Sequence, residues 1–199
     1  MGLSRQAKTL SRQQIEAVSS YLLNRRHGLR DQTIFNLSIR SGLRAKEIAS
    51  LTWAMVTTSD GKIGDSIHLT NIASKGKSGR IIPMNKAVKD NLGRLLLEQQ
   101  KIRHFDISSA YVITTERAKQ TSAQSIVNMF SKWYRELGLL GCSSHSGRRT
   151  FITNAARKIS SVGGSIRDVQ MLAGHSSLSV TQRYIEADSE AQRRVVDVI

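Results

Sequence analysis

A chain of 199 residues is long enough for one domain with a substantial core. Its 30 lysines and arginines face only 15 acidic residues, and the net charge of +15 points to a polyanionic partner, nucleic acid first and an anionic membrane surface second. The membrane fares poorly, because no apolar run is long enough to span a bilayer and the start "MGLSRQAKTLSRQQ" carries no signal-like apolar stretch.

In chain order the pattern reads helices, a short sheet, then helices. "LSRQQI" offers Ser11 as N-cap, Gln14 as its reciprocal partner and a Leu10–Ile15 staple, after which Ile15, Val18 and Leu22 follow helical spacing. A second helix is expected from Asp31 to about Ser41, broken at Gly42, and a third from near Arg44 through "AKEIASL". Between Val56 and Met84 the β-prone pieces "SIHLTNI" and "RIIPM" flank the turn-rich "SKGKSG", which predicts a small antiparallel hairpin or meander. Val88, Leu92, Leu95 and Leu96 restore helical spacing, and "YVITT" reads as a brief strand. Thr121 and Gln124 form a second candidate capping box, followed by Ile126, Met129, Phe130, Trp133 and Leu137 on one face, a stripe read simply as core.

Cys142 is the single cysteine, so no internal disulfide can form and a reducing cytoplasm is the natural setting. The five histidines are scattered and suggest no zinc site. "HSGRRTFITNAARKI" is helical and basic. After the loop "SSVGG", Ser165 and Asp168 cap a short helix ending near Leu172, and "AGHSSLSVTQRYIE" follows. No repeat or interdomain linker interrupts the chain. The expected fold is mainly α with a small antiparallel β-sheet (α+β), in one domain over residues 1–199.

Four features carry candidate chemistry, and each alone has a plain explanation. Arg44 with Glu47 three residues on reads as a surface ion pair. Lys75 and Lys77 read as solvated lysines of a turn. His145 and Arg148, at i and i+3, leave one helix face and could simply touch phosphates. Tyr184, nine positions after His175, reads as a packed aromatic. Their order and joint presence are far more specific than any one of them.

That order, Arg with Glu three later, a hairpin Lys, His-x-x-Arg, "GH" and a Tyr nine residues beyond, resembles the catalytic domain of the tyrosine recombinase (phage integrase) family, from about Ser11 to Glu186. The resemblance implies that Arg44, Lys75, His145, Arg148, His175 and Tyr184 are catalytic and that Glu47 holds Arg44. It also implies that Lys77, Arg80 and Arg149 contact DNA. Two departures flank catalytic positions: Gly147 stands where relatives usually have Leu, and "LAGH" replaces "LGH". The catalytic pattern begins almost at residue 11, without the N-terminal core-binding domain common in the family. The chain is therefore expected to be either a short member like the fimbrial phase-variation recombinases or a fragment of a longer protein.

The implied activity is site-specific cutting and rejoining of double-stranded DNA through a 3′-phosphotyrosyl intermediate, without metal or cofactor. Two paired-donor guanidiniums suit the charge that builds on the phosphate. A phenol of pKa about 10 must lose its proton as it attacks. His145 is the expected acceptor, Lys75 the expected proton donor to the leaving 5′-oxygen, and His175 a further phosphate donor. Related implications are a homo-tetramer on DNA that is monomeric when free, accessory DNA-bending proteins, and a cytoplasmic, nucleoid-associated setting in a bacterium or phage. The tail at 187–199, with Asp188 or Ser189 as a cap and Val195, Val196 and Ile199 as an apolar stripe, is expected to dock on a neighbouring protomer. A helix packed back on its own core is the alternative. The competing functions are a type IB topoisomerase-like enzyme that nicks and reseals, and a DNA-binding regulator that does not cleave.

Overall fold

Ser11 opens the first helix, α1 (Arg12–Leu23), as a true capping box: its Oγ accepts the Gln14 N–H and Gln14 Oε1 accepts the Ser11 N–H at 2.9 Å. The computed structural model describes residues 7–74, 79–116, 118–184 and 196–197. Leu10 is buried, Ile15 packs on the core, and the Leu10 N–H donates to Thr150 Oγ1 at 2.8 Å, tying the N-terminal segment to a helix far along the chain.

Helix α2 (Gly28–Ser41) begins three residues before the expected Asp31. Asp31 is buried in its first turn, where it accepts from Arg30 at 2.7 Å. Gly42 ends α2 with φ of 66°, the left-handed conformation that favours glycine. Helix α3 (Ala45–Ala49) follows with Arg44 at its N-cap. Strands β1 (Ser66–Leu69) and β2 (Arg80–Pro83) pair antiparallel, Ser66 opposite Pro83 and Leu69 opposite Arg80, as the expected hairpin requires. Helix α4 (Lys86–Gln99) is capped by Asn85.

Two local readings need correction. "YVITT" makes no strand among the described residues; Tyr111 forms one isolated bridge to Thr52. Helix α5 (Ala123–Glu136) is capped by Ser122, whose Oγ accepts the Ser125 N–H at 3.1 Å, so the frame lies one residue beyond the Thr121–Gln124 box. Thr121 is buried, and its N–H bonds to the Ile113 carbonyl instead.

Helices α6 (Ser146–Lys158), α7 (Ile166–Ala173) and α8 (Leu178–Gln182) complete the described elements. The Ser165–Asp168 box starts α7, and Gly174 ends it with φ of 62°. Helix α2 is the centre, packed by α1, α4 and α6. The main core gathers Phe35, Leu37, Trp53, Phe130 and Trp133, the last two from the predicted stripe on α5. A smaller apolar cluster of Ile152, Val169 and Ala173 joins α6 to α7, and Tyr184 packs against it. No helix among the described residues is long and apolar enough to cross a membrane.

Gly147 sets how these layers meet. A Cβ there would lie 2.4 Å from Ser38 Oγ and 3.3 Å from the Ile39 amide nitrogen, so only glycine lets the first turn of α6 rest on α2. That contact places the next residue, Arg148, against the C-terminal end of α2.

Candidate active site

Arg148 is buried, and its guanidinium ties two helix ends together. Nη1 donates to the Gly42 carbonyl and Nη2 to the Ala173 carbonyl, both at 2.6 Å. Those carbonyls close α2 and α7, where the helix dipoles favour a cation. The end of α2 leads directly into Arg44 and the end of α7 into His175, so Arg148 fixes the spacing of both segments.

Arg44 and Glu47 are not the surface ion pair their spacing suggests. Glu47 is fully buried; its Oε2 accepts the Arg44 backbone N–H at 2.8 Å and its Oε1 accepts Arg44 Nη1 at 2.8 Å. Arg80 donates Nη1 and Nη2 to the same carboxylate at 2.9 and 3.1 Å. Burial pushes the Glu47 carboxyl up, but the hydrogen bonds and charges of Arg80 and Arg44 outweigh it and hold the group below its ordinary value. Burial, aided by Arg44, pulls Arg148 down to about 10, so it stays charged at neutral pH.

Tyr184 follows α8 at the edge of this cluster. Its ring stacks on His175, with centroids 5.2 Å apart and 23° between planes. Its backbone is tied at both polar groups: the N–H donates to the Thr181 carbonyl at 3.0 Å and the carbonyl accepts Thr153 Oγ1 at 3.1 Å. Thr181 Oγ1 also lies 3.0 Å from His175 Nδ1. Burial first, then the charges of Arg148, Arg44 and Arg80, pull His175 down to about 4, so its imidazole is neutral at physiological pH.

A pocket of about 340 Å³ brings together Arg44, His145, Arg148, Arg149, Arg183 and Tyr184. Arg44 also lines a larger open groove, about 1280 Å³, with Arg80, Arg167 and His175. Three guanidiniums surround one carboxylate at this junction. The excess positive charge in a partly dry site favours an anion.

The structure therefore gathers Arg44, Glu47, His145, Arg148, His175 and Tyr184. His145 is the exposed residue preceding α6 rather than a member of it, yet it shares the pocket with Arg148. Lys75 and Lys77 lie outside the described residues. Arg149 is half-buried and lines the pocket. Arg80, expected to contact DNA, has its side chain only 6% exposed and engages the buried Glu47. Sequence reasoning missed Arg183, adjacent to Tyr184, and the hydroxyls of Thr153 and Thr181. The basic residue was visible, whereas the threonines gain meaning only when the helices meet.

Residues 8–191 match the phage integrase family. The tyrosine recombinase XerC of Shewanella sp. (strain ANA-3) is 30% identical over 170 residues, which cover 85% of this chain and 52% of that protein. XerC of Syntrophus aciditrophicus (strain SB) is 29% identical over 162 residues, 79% of this chain and 49% of its own length. The chain spans about half the length of these relatives. Among solved structures, XerA recombinase shares the fold with a TM-score of 0.74 at 21% identity, over 98% of this chain and 64% of that one. The Tn1549 transposon integrase, solved with a circular intermediate DNA, gives 0.74 at 19%, over 98% and 66%. With the family match running nearly end to end, the chain belongs to the phage integrase family.

Proposed function

We propose that the protein is a site-specific DNA recombinase that cuts and rejoins double-stranded DNA through Tyr184. The observation that carries this reading is the stacking of Tyr184 on His175 beside a pocket it shares with Arg44, His145 and Arg148. A phosphodiester seated there accepts hydrogen bonds from Arg44 and Arg148 through its non-bridging oxygens, which neutralise the charge that grows in the transition state. Thr181 Oγ1 lies 3.0 Å from His175 Nδ1, and in the tautomer where the hydroxyl donates, the neutral imidazole carries its hydrogen on Nε2 for the same phosphate.

Tyr184 Oη attacks phosphorus as His145 takes the phenol proton. The bond to the 5′-oxygen breaks, and Lys75 supplies the proton that oxygen needs. The result is a 3′-phosphotyrosyl bond and a free 5′-hydroxyl. A second 5′-hydroxyl reverses the step on a new partner, without an external energy source. Lys77, Arg149 and Arg183 contribute phosphate contacts around the site. The net charge of +15 keeps the free protein monomeric by self-repulsion, and DNA neutralises it to permit a homo-tetramer, aided by DNA-bending proteins. Exchange of the tail at 187–199 between protomers links that assembly to the placement of Tyr184; nearly all of this tail lies outside the described residues.

Covalent capture of the protein on cellular DNA, followed by sequencing of the captured sites and their junctions, tests the reading. Recombination predicts junctions that join two captured sites. Captured sites resealed without partner exchange would assign a topoisomerase-like reaction, and binding without capture would assign a regulator.

A further inference from the structure

Arg80 is the first residue of strand β2, paired with Leu69, and it lies five positions after Lys75 in the sequence. Its guanidinium reaches two other elements at once. The Nη atoms fork onto the buried Glu47, which holds both the backbone and the side chain of Arg44. Nε donates to the Leu172 carbonyl at 2.9 Å, in the last turn of α7 three residues before His175. The approach is close enough to dictate sequence: a Cβ on Gly174 would lie 2.9 Å from Arg80 Cδ, so that residue must be glycine for space as well as for its positive φ. We propose that Arg80 is a positioning residue that holds Arg44 and the His175 segment in register with strand β2, and is not itself a DNA contact.

The physical core of the proposal is competition for one carboxylate. Glu47 is buried and ionised, so it must be neutralised from within. While Arg80 supplies part of that neutralisation, Arg44 can keep donors for the phosphate. Without Arg80 the side-chain hydrogen bonding to Glu47 falls on Arg44, which is drawn inward and away from the reacting oxygens. Lysine at position 80 cannot replace the fork, because a single ammonium cannot match the planar pair and also reach Leu172. The inference rests on the recombinase reading.

Single-turnover cleavage of nicked duplexes carrying a captured site tests it, with the DNA dissociation constant and its salt slope measured in parallel. Arg80→Met is expected to slow cleavage about 10²-fold, as loss of one preorganised donor does, while affinity and salt slope stay unchanged. Two further results are specific to positioning. Removing the buried charge as well, in Arg80→Met/Glu47→Gln, releases Arg44, so the double variant is expected to cleave faster than Arg80→Met alone. On a duplex with a neutral methylphosphonate at the scissile position, which asks less of Arg44, the Arg80→Met loss is expected to shrink to about tenfold or less.

Arg80→Lys, which keeps the charge, is taken through the same cycle so that a poorly folded Met variant does not decide the outcome. A salt slope reduced by about 1 with weakened binding would mark a phosphate contact and overturn the proposal. So would losses that simply accumulate in the double variant, or equal losses on both substrates. If the wild-type protein forms no covalent complex on either duplex, the recombinase reading itself fails and this inference falls with it.

Discussion

Gly147→Ala is a sharp probe of how the fold sets the site. The added methyl would meet Ser38 Oγ at 2.4 Å, Ser38 Cβ at 3.0 Å and the Ile39 nitrogen at 3.3 Å. A rotamer change moves only the first of these, so α6 must lift off α2. Alanine in an open helix would gain up to about 1 kcal/mol over glycine. Overpacking of this kind costs about 1–3 kcal/mol. The balance is a loss of about 1–2 kcal/mol, or a fall of roughly 3–6 °C in melting temperature for a chain of this size. Because Arg148 is the next residue, the same shift lengthens its bonds to the Gly42 and Ala173 carbonyls, and cleavage should fall about tenfold beyond any unfolding. Ser38 Oγ is buried with no hydrogen-bond partner among the described residues, so Ser38→Ala should be nearly neutral. In that background Gly147→Ala should regain about half of its loss, since the Cβ contact remains. Thermal melts of the four proteins, with single-turnover cleavage, complete the cycle. A Gly147→Ala protein as stable as wild type, or one that Ser38→Ala fails to relieve, would refute the packing argument.

Arg148→Lys should cost both melting temperature and at least 10²-fold in cleavage, because one ammonium cannot bridge the two carbonyls that the guanidinium joins; a fully stable, active lysine variant would contradict this. His175 is held neutral, because burial and the neighbouring arginines pull its folded pKa from the ordinary 6.5 down to about 4, so the unfolded chain takes the proton first. The stability this confers is complete above pH 6.5 and is lost as pH falls toward 4; melts from pH 8 to 4 should show a slope that His175→Asn flattens. Lys75→Ala should be rescued on a 5′-bridging phosphorothiolate, whose sulfur leaves without a proton, whereas the same rescue of Lys77→Ala would exchange their roles. Cleavage should survive chelation of divalent metal, while affinity falls with a log–log salt slope of about −0.9 for each phosphate neutralised; a magnesium requirement would contradict the assigned electrostatics.

Much of this molecule is written locally. The Ser11 and Ser165 boxes, the break at Gly42 and the antiparallel hairpin depend on residues within a few positions of each other, and the structure reproduces them. The α5 cap slipped by one residue because Thr121 and Ser122 are chemically alike at that boundary, and burial of Thr121 decided between them. The gathering of Arg44, His145, Arg148, His175 and Tyr184 was legible as an ordered pattern, but their supports were not. Thr153 and Thr181 act through contacts that exist only after α6 and α8 meet the tyrosine segment. Arg80 shows the limit most plainly. A basic residue beside a hairpin lysine reads as a DNA contact, and only the buried position of Glu47, unavailable from an i, i+3 spacing, turns it inward.

The central claim is that Tyr184 forms the bond to DNA. Reacting the protein with a nicked duplex, so that the cleaved strand diffuses away, traps the adduct for digestion and mass spectrometry. The modified peptide should contain Tyr184 joined to a 3′-phosphate, and Tyr184→Phe should bind the same duplex with unchanged melting temperature and no adduct. An adduct on Tyr111 or Tyr134, or one that persists in Tyr184→Phe, would contradict the account.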